Sequence, residues 1–128
     1  MEKKDERIFR ELVELCAHLR SDKGCMWDRE QTHRSLLPYL EEEAGEVVEA
    51  VEKDDRENLK EELGDLLYQV VFHAQIAAEN GEFTIYDVVR GIRDKLIRRH
   101  PHVFSDTRVT SVEDILANWK RIKKQEKS

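Results

Sequence analysis

The sequence predicts an all-α fold, a bundle of four to five helices in a single domain, 1–128. Three observations point there. Apolar residues recur at helical spacing in successive runs, alternating Val/Ile/Thr-rich runs are absent, and hydrophobic and charged residues each make up 39% of the chain. That balance suits amphipathic helices with wet outer faces, and the missing alternation argues against a sheet. At 128 residues the chain can form a real but modest core.

A first helix is expected over residues 5–20, where Ile8, Leu12, Leu15, Cys16 and Leu19 share one face. Residues 21–28, Ser21-Asp22-Lys23-Gly24-Cys25-Met26-Trp27-Asp28, break the pattern and read as a loop. Trp27 in so polar a segment calls for cover, either as an anchor on the domain's own core or as a stack on a ligand. From Ser35 to Val51 the apolar positions are Leu36, Leu37, Leu40, Ala44, Val47, Val48 and Val51, one stripe at about 100° per residue. Glu43 lies on a shoulder of that stripe and Glu46 about 60° further round, while Glu42 and Glu49 point nearly opposite. Asp54-Asp55 ends this helix or caps the next.

The next helix is expected over residues 56–78, with Leu59, Leu63, Leu66, Leu67, Val70, Ala74 and Ala77 inward. Glu62 and Asp65 fall on one flank of it, followed by Gln69 and His73. Glu79-Asn80-Gly81-Glu82 reads as a turn, and Thr84-Ile85-Tyr86-Asp87 has the form of a capping box. The helix it opens carries Ile85, Val88, Val89, Ile92 and Leu96 and must stop before Pro101. His100-Pro101-His102-Val103-Phe104 reads as a connector. Ser111-Val112-Glu113-Asp114 opens a last helix through Ile115, Trp119 and Ile122, after which the lysine-rich tail is expected to fray.

No apolar run approaches the roughly 20 residues that cross a bilayer, so no membrane partner is expected. The amino-terminal residues have no apolar segment of a signal peptide behind them. Cys16 and Cys25 form no C-x-x-C pair, and two unpatterned thiols fit a reducing cytoplasm. The net charge of −6 argues against nucleic acid as a partner, but its distribution is uneven. Residues 1–89 hold 11 Lys and Arg against 23 Asp and Glu, a balance of −12, and residues 90–128 hold 11 against 5, a balance of +6. Such a chain can hold cations in one part and anions in the other.

The acids in the first part recur as Glu-x-x-Glu at Glu43 and Glu46 and as Glu-x-x-Asp at Glu62 and Asp65. The i,i+3 spacing projects two carboxylates from one side of each helix, so two facing helices offer four. These acids border the apolar stripes, where unpaired charge is costly. Gly45 and Gly64 sit inside the same helices at a cost of about 1 kcal/mol each against Ala, which suggests close approach of a backbone or a ligand. Surface glutamates are the plain alternative. Convergent oxygen ligands instead suit a hard ion, Mg²⁺ with Mn²⁺ as substitute, of the kind that serves phosphate-ester chemistry. A di-iron carboxylate bundle needs Glu-x-x-His on two helices, and the chain offers only Glu30-Gln31-Thr32-His33. His100 and His102 lack a third ligand and fit helix termination better.

Several segments, in order, carry a resemblance: Trp27-Asp28-Arg29-Glu30-Gln31-Thr32-His33; Glu42, Glu43 and Glu46; Glu62-Leu63-Gly64-Asp65-Leu66-Leu67; Val70-Val71-Phe72-His73-Ala74; Lys95 through Phe104; and Trp119-Lys120-Arg121-Ile122-Lys123. Together they resemble the MazG-type nucleoside triphosphate pyrophosphohydrolases over residues 8–126. The resemblance implies an all-α nucleotide pyrophosphohydrolase fold completed by dimerisation, working as a homodimer or homotetramer. It implies Mg²⁺-dependent hydrolysis of a nucleoside triphosphate to the monophosphate and pyrophosphate, with a house-cleaning role against unwanted nucleotides. By motif, Glu43, Glu46, Glu62 and Asp65 are the implied metal ligands, and Glu42 and Glu43 the implied catalytic acids. Lys95, Arg98, Arg99, Trp119 and Lys123 are the implied nucleotide contacts. Met26 stands where the family usually has Pro, which changes loop stiffness only. Relatives often carry two such domains in tandem, and this chain resembles the amino-terminal one. The competing reading is a nucleotide-sensing or partner-binding helical module that keeps the fold without efficient catalysis.

Overall fold

The structure is a computed structural model and describes residues 2–127. Met1 and Ser128 lie outside the described residues. Among those described there are seven helices and no strand: α1 (Glu2–Leu19), α2 (Met26–Glu30), α3 (His33–Glu52), α4 (Arg56–Glu79), α5 (Ile85–Arg99), α6 (Pro101–Phe104) and α7 (Val112–Lys127). Five are long and two are single short turns, so the all-α expectation holds and the count of long helices reaches its upper bound. The chain divides into two compact units, one ending at Ile85 and one beginning at Tyr86.

In the first unit α3 and α4 pack along one another, and α1 packs on α4. Cys16, Leu36, Val71, Phe72, Ala74, Ile76 and Ile85 form the buried core, with Phe9, Leu12, Val13 and Tyr68 against it. Helix α3 starts two residues earlier than expected because Thr32 caps it. Its hydroxyl accepts from the Ser35 backbone N–H at 3.1 Å, and the Ser35 hydroxyl accepts from the Thr32 N–H at 2.8 Å.

Helix α3 ends in a Schellman arrangement: Asp55 N–H donates to Ala50 O and Asp54 N–H to Val51 O, with Asp54 at φ 54°. Helix α4 opens under the Asp55 side chain, which accepts from Asn58 N–H at 3.2 Å. It ends in the same way as α3, with Gly81 at φ 73° supplying the left-handed residue.

Residues 21–28 are not all loop, because α2 begins at Met26. Gly24 makes that turn possible: a Cβ there would lie 2.2 Å from Leu19 O and 2.3 Å from His18 O. Arg20 then fastens the segment. Its Nη1 donates to Asp28 O at 2.5 Å and Gln31 O at 3.2 Å, while Nε and Nη2 donate to the two Glu79 carboxylate oxygens at 2.9 and 3.0 Å. Its guanidinium also lies over the Phe72 ring.

Several positions expected inward are not buried within the chain. Leu63, Leu67 and Val70 of α4 are 48%, 43% and 40% exposed, and Ile8, Leu15, Leu37, Ala44, Val48 and Val51 are exposed as well. The buried residues of α4 are instead Glu62, Val71, Phe72, Ala74, Ile76 and Ala77. This helix is apolar around most of its girth, so spacing alone does not say which side meets α1 and α3.

In the second unit α5 stops at Arg99 as Pro101 requires, and Pro101 itself opens the short α6, correcting the expected connector. Ser111 caps α7 by accepting from Asp114 N–H at 3.2 Å. Val88, Val89, Ile92 and Leu96, expected on an inward face, are exposed, whereas Ile122 is buried. The expected fraying is not seen: α7 stays helical to Lys127.

Candidate functional site

Helix α3 carries Glu43 and Glu46, and α4, returning along it, carries Glu62 and Asp65. One carboxylate oxygen from each of the four lies within 4.8 Å of the others. Glu62 is buried, Glu43 and Glu46 are half-buried and Asp65 is exposed. Among the described residues, no Lys or Arg forms an ion pair with any of them.

With no cation among the described residues to pair them, the crowded like charges favour the protonated form of Glu62 and Glu43. A hydrogen bond shared with Glu46, then burial and the charges of Glu46, Asp65 and Glu43, push Glu62 up to about 7. Burial, then Glu46 and Asp65, raises Glu43 as well. Glu43 Oε2 and Glu62 Oε2 are buried without a hydrogen-bond partner. Oxygen-only donors, two orphaned oxygens and no counter-cation among the described residues are the chemistry of a divalent-cation site, and the residues fit such an ion.

Glu42, the other implied catalytic acid, is exposed and is not part of this group. Gly45 and Gly64 do not mark a close approach of the two backbones. A Cβ at either would meet nothing within 4 Å.

Beyond the carboxylates, the same flank of α4 carries Gln69 and His73. Gln69 Oε1 and His73 Nε2 are also buried without partners. His73 Nδ1 meets His33 Nδ1, at the first turn of α3, at 2.8 Å. The rings are 2° from parallel with centroids 5.1 Å apart. That spacing is about the N···N distance plus one ring radius at each end, so the imidazoles lie edge to edge in a shared plane instead of stacking. Trp27 is neither a buried anchor nor fully free: it is 46% exposed, set at 85° to Tyr39 with centroids 5.6 Å apart. Tyr39 lies one helical turn before Glu43.

The second unit holds the basic candidates. Arg98 Nε donates to Glu126 Oε2 at 2.5 Å, and Arg99 Nη2 to Glu126 Oε1 at 2.8 Å. Those bonds hold the Glu126 carboxyl down to about 2. Lys123 Nζ lies 5.9 Å from the centre of the Trp119 ring, and His100 meets the same ring edge-on at 5.5 Å. Trp119 Nε1 and Arg99 Nε are buried without partners. Lys95 is half-buried on α5. His100 Nδ1–H donates to Leu96 O at 2.6 Å, a helix-ending contact, and joins no group of three metal-ligating side chains among the described residues.

Sequence reasoning brings forward the four clustered acids and the basic segment. It misses Glu126 and Arg20 and the pairing of His33 with His73, because contacts 27, 59 and 40 positions apart leave no periodic trace.

The family model described as the MazG nucleotide pyrophosphohydrolase domain matches residues 31–104 of the chain. A protein of Thermotoga maritima named nucleoside triphosphate pyrophosphohydrolase/pyrophosphatase MazG is 56% identical over 120 residues, 94% of this chain and 46% of that protein. The nucleoside triphosphate pyrophosphohydrolase of Escherichia coli is 46% identical over 118 residues, 91% of this chain and 45% of its own length. The chain thus spans under half the length of these two relatives. The crystal structure of a MazG-related protein from Thermotoga maritima superposes with a TM-score of 0.73 at 32% identity, covering 90% of this chain and 98% of that one. With more than half of its residues inside the matched domain and its helices superposing on that structure, the chain belongs to the MazG nucleotide pyrophosphohydrolase domain family.

Proposed function

We propose that the protein hydrolyses nucleoside triphosphates to nucleoside monophosphate and pyrophosphate, using Mg²⁺ with Mn²⁺ as substitute, as a house-cleaning enzyme of the cytoplasm. The observation that carries this reading is the convergence of Glu43, Glu46, Glu62 and Asp65 within 4.8 Å. The names of the two relatives support the reaction class. The domain match runs across the division at Ile85, which supports treating residues 1–128 as one domain.

In this reading Glu43, Glu46, Glu62 and Asp65 hold the ion. A divalent cation there supplies Lewis acidity towards the phosphate oxygens and lowers the pKa of water. Water attacks the α-phosphorus, the bond to the pyrophosphate oxygen breaks, and the water's proton passes to a carboxylate. Glu43 suits that task better than Glu42, because it has a buried oxygen without a partner and Glu42 stands outside the cluster. Lys95, Arg98, Arg99 and Lys123 take the phosphates, and Trp119 the nucleoside.

The working form is a homodimer or homotetramer. The support is the half-exposed Leu63, Leu67 and Val70 on α4, together with Ile8 and Leu15 on α1, a side that water covers poorly. The test of function is a panel of ordinary and modified nucleoside triphosphates, followed by pyrophosphate release with and without Mg²⁺. Turnover on at least one member that stops on chelation is expected, and none on any member rejects the proposal.

A further inference from the structure

We propose that Glu126 is a positioning residue for the anion-binding arginines. Its two oxygens hold Arg98 by Nε and Arg99 by Nη2 so that their other guanidinium nitrogens are preset for a phosphate oxyanion. The inference rests on the reading that the basic segment of α5 meets the substrate's phosphates. The contacts are unsymmetrical in a telling way. Arg98 is gripped by Nε alone, at 2.5 Å, and among the described residues its Nη1 and Nη2 have no partner. Arg99 is gripped by Nη2 at 2.8 Å, which leaves Nη1 and the buried Nε without a partner among the described residues. Leaving aside the buried Arg99 Nε, three N–H-bearing nitrogens on two adjacent planar forks are thereby fixed in direction, the arrangement that suits the several oxygens of a polyphosphate.

Stability alone does not account for this arrangement. The Arg98 side chain is 50% exposed, and an ion pair so open to water contributes little to folding. Glu126 and Arg99 are more covered, at 19% and 21%. The carboxylate is thus a partly shielded post from which the more exposed Arg98 is held. Glu126 also cancels one positive charge, and the two effects oppose each other. Removing a screened counter-charge strengthens anion binding a few-fold at most, whereas freeing two long side chains that must then be re-ordered weakens it by roughly tenfold. Ordering is the larger effect, so loss of Glu126 weakens binding although it makes the site more positive.

The test is calorimetric titration of the metal-free, full-length chain with inorganic tripolyphosphate, a probe that needs no catalysis. Wild type binds, Arg98→Ala and Arg99→Ala weaken it, and Glu126→Ala weakens it by about tenfold, with partial rescue by Glu126→Gln, which keeps an acceptor oxygen. In an Arg98→Ala/Arg99→Ala background, Glu126→Ala adds no further loss. Binding by Glu126→Ala that equals or exceeds wild type, while the arginine variants weaken it, makes Glu126 a mere counter-charge and overturns the inference. A loss that persists without the arginines assigns Glu126 to the fold and also overturns it. If wild type does not bind, or the arginine variants bind as well as wild type, the phosphate reading of the segment falls first and takes this inference with it. Melting curves show which variants remain folded, and Glu126→Gln carries the comparison if Glu126→Ala does not.

Discussion

His33 and His73 are joined Nδ1 to Nδ1 at 2.8 Å with their rings in one plane, so one nitrogen must carry the proton that the other accepts. The bond ties the first turn of α3 to α4, and it exists only while at least one ring is neutral. Burial, then the neighbouring His33, depresses His73 below the ordinary histidine value of 6.5. A base with a depressed folded pKa binds fewer protons than in the unfolded chain, so its share of stability is lost as pH falls below about 6.5. The melting-temperature advantage of wild type over His73→Gln is therefore expected at pH 7.5 and should shrink by pH 5.5. An advantage that stays constant with pH would show that the shared proton does not hold the helices.

The carboxylate cluster has the opposite sign. Glu62 titrates near 7 in the folded, metal-free chain against an ordinary 4.5, so the folded state keeps its proton longer than the unfolded state. Stability from this group is present at low pH and is lost as pH rises from about 4.5 through 7. Without metal, the melting temperature should fall across that window, and Glu62→Gln should flatten the fall. Millimolar Mg²⁺ should restore stability above pH 7 and leave Glu62→Gln nearly unmoved. Scanning fluorimetry over a pH series with and without chelator measures both.

Turnover is expected to fall by roughly 100-fold or more in Glu43→Gln and Asp65→Asn, the scale of losing one electrostatic partner of a reacting group. Neither change removes apolar burial, so far-UV circular dichroism should match wild type. Glu42→Gln, outside the cluster, should keep most of the activity. Retained turnover in Glu43→Gln would remove that residue from the site.

The two Schellman ends give a matched pair of stability predictions. Asp54 adopts φ 54° where Gly81 adopts φ 73°. Asp54→Gly should raise stability and Gly81→Ala should lower it, each by about 1 kcal/mol, from the cost of a Cβ in the left-handed region. Urea unfolding with an unchanged m-value reads both.

Much of the fold is legible in the sequence because helical periodicity and end signals are local. Pro101 stops α5 and Ser111 starts α7 as their residue types require, and the i,i+3 acids fall on facing sides of α3 and α4. The sides of helices are harder. Leu63, Leu67 and Val70 read as core because α4 is apolar nearly all round. Only packing against α1 and α3 decides that Val71, Phe72, Ala74, Ile76 and Ala77 are the residues covered. The frayed tail is a composition argument, and it fails because α7 stays helical to Lys127, where Glu126 meets two arginines of another helix. Ion pairs and shared protons between distant positions have no sequence period, so the contacts of Glu126, Arg20 and the histidine pair exist only once the chain is folded.

Arg20 has a consequence for which substitutions the chain tolerates. One guanidinium serves three separate stretches: Asp28 within α2, Gln31 just after it, and Glu79 at the end of α4. Lysine keeps the charge but brings a single nitrogen, which can satisfy the Glu79 carboxylate or the α2 carbonyls but not both. A change that looks conservative would therefore unhook the short helix bearing Trp27 while leaving Phe72 and Leu36 packed. Such a lesion is invisible to bulk helicity and shows itself as fast amide exchange confined to residues 26–31.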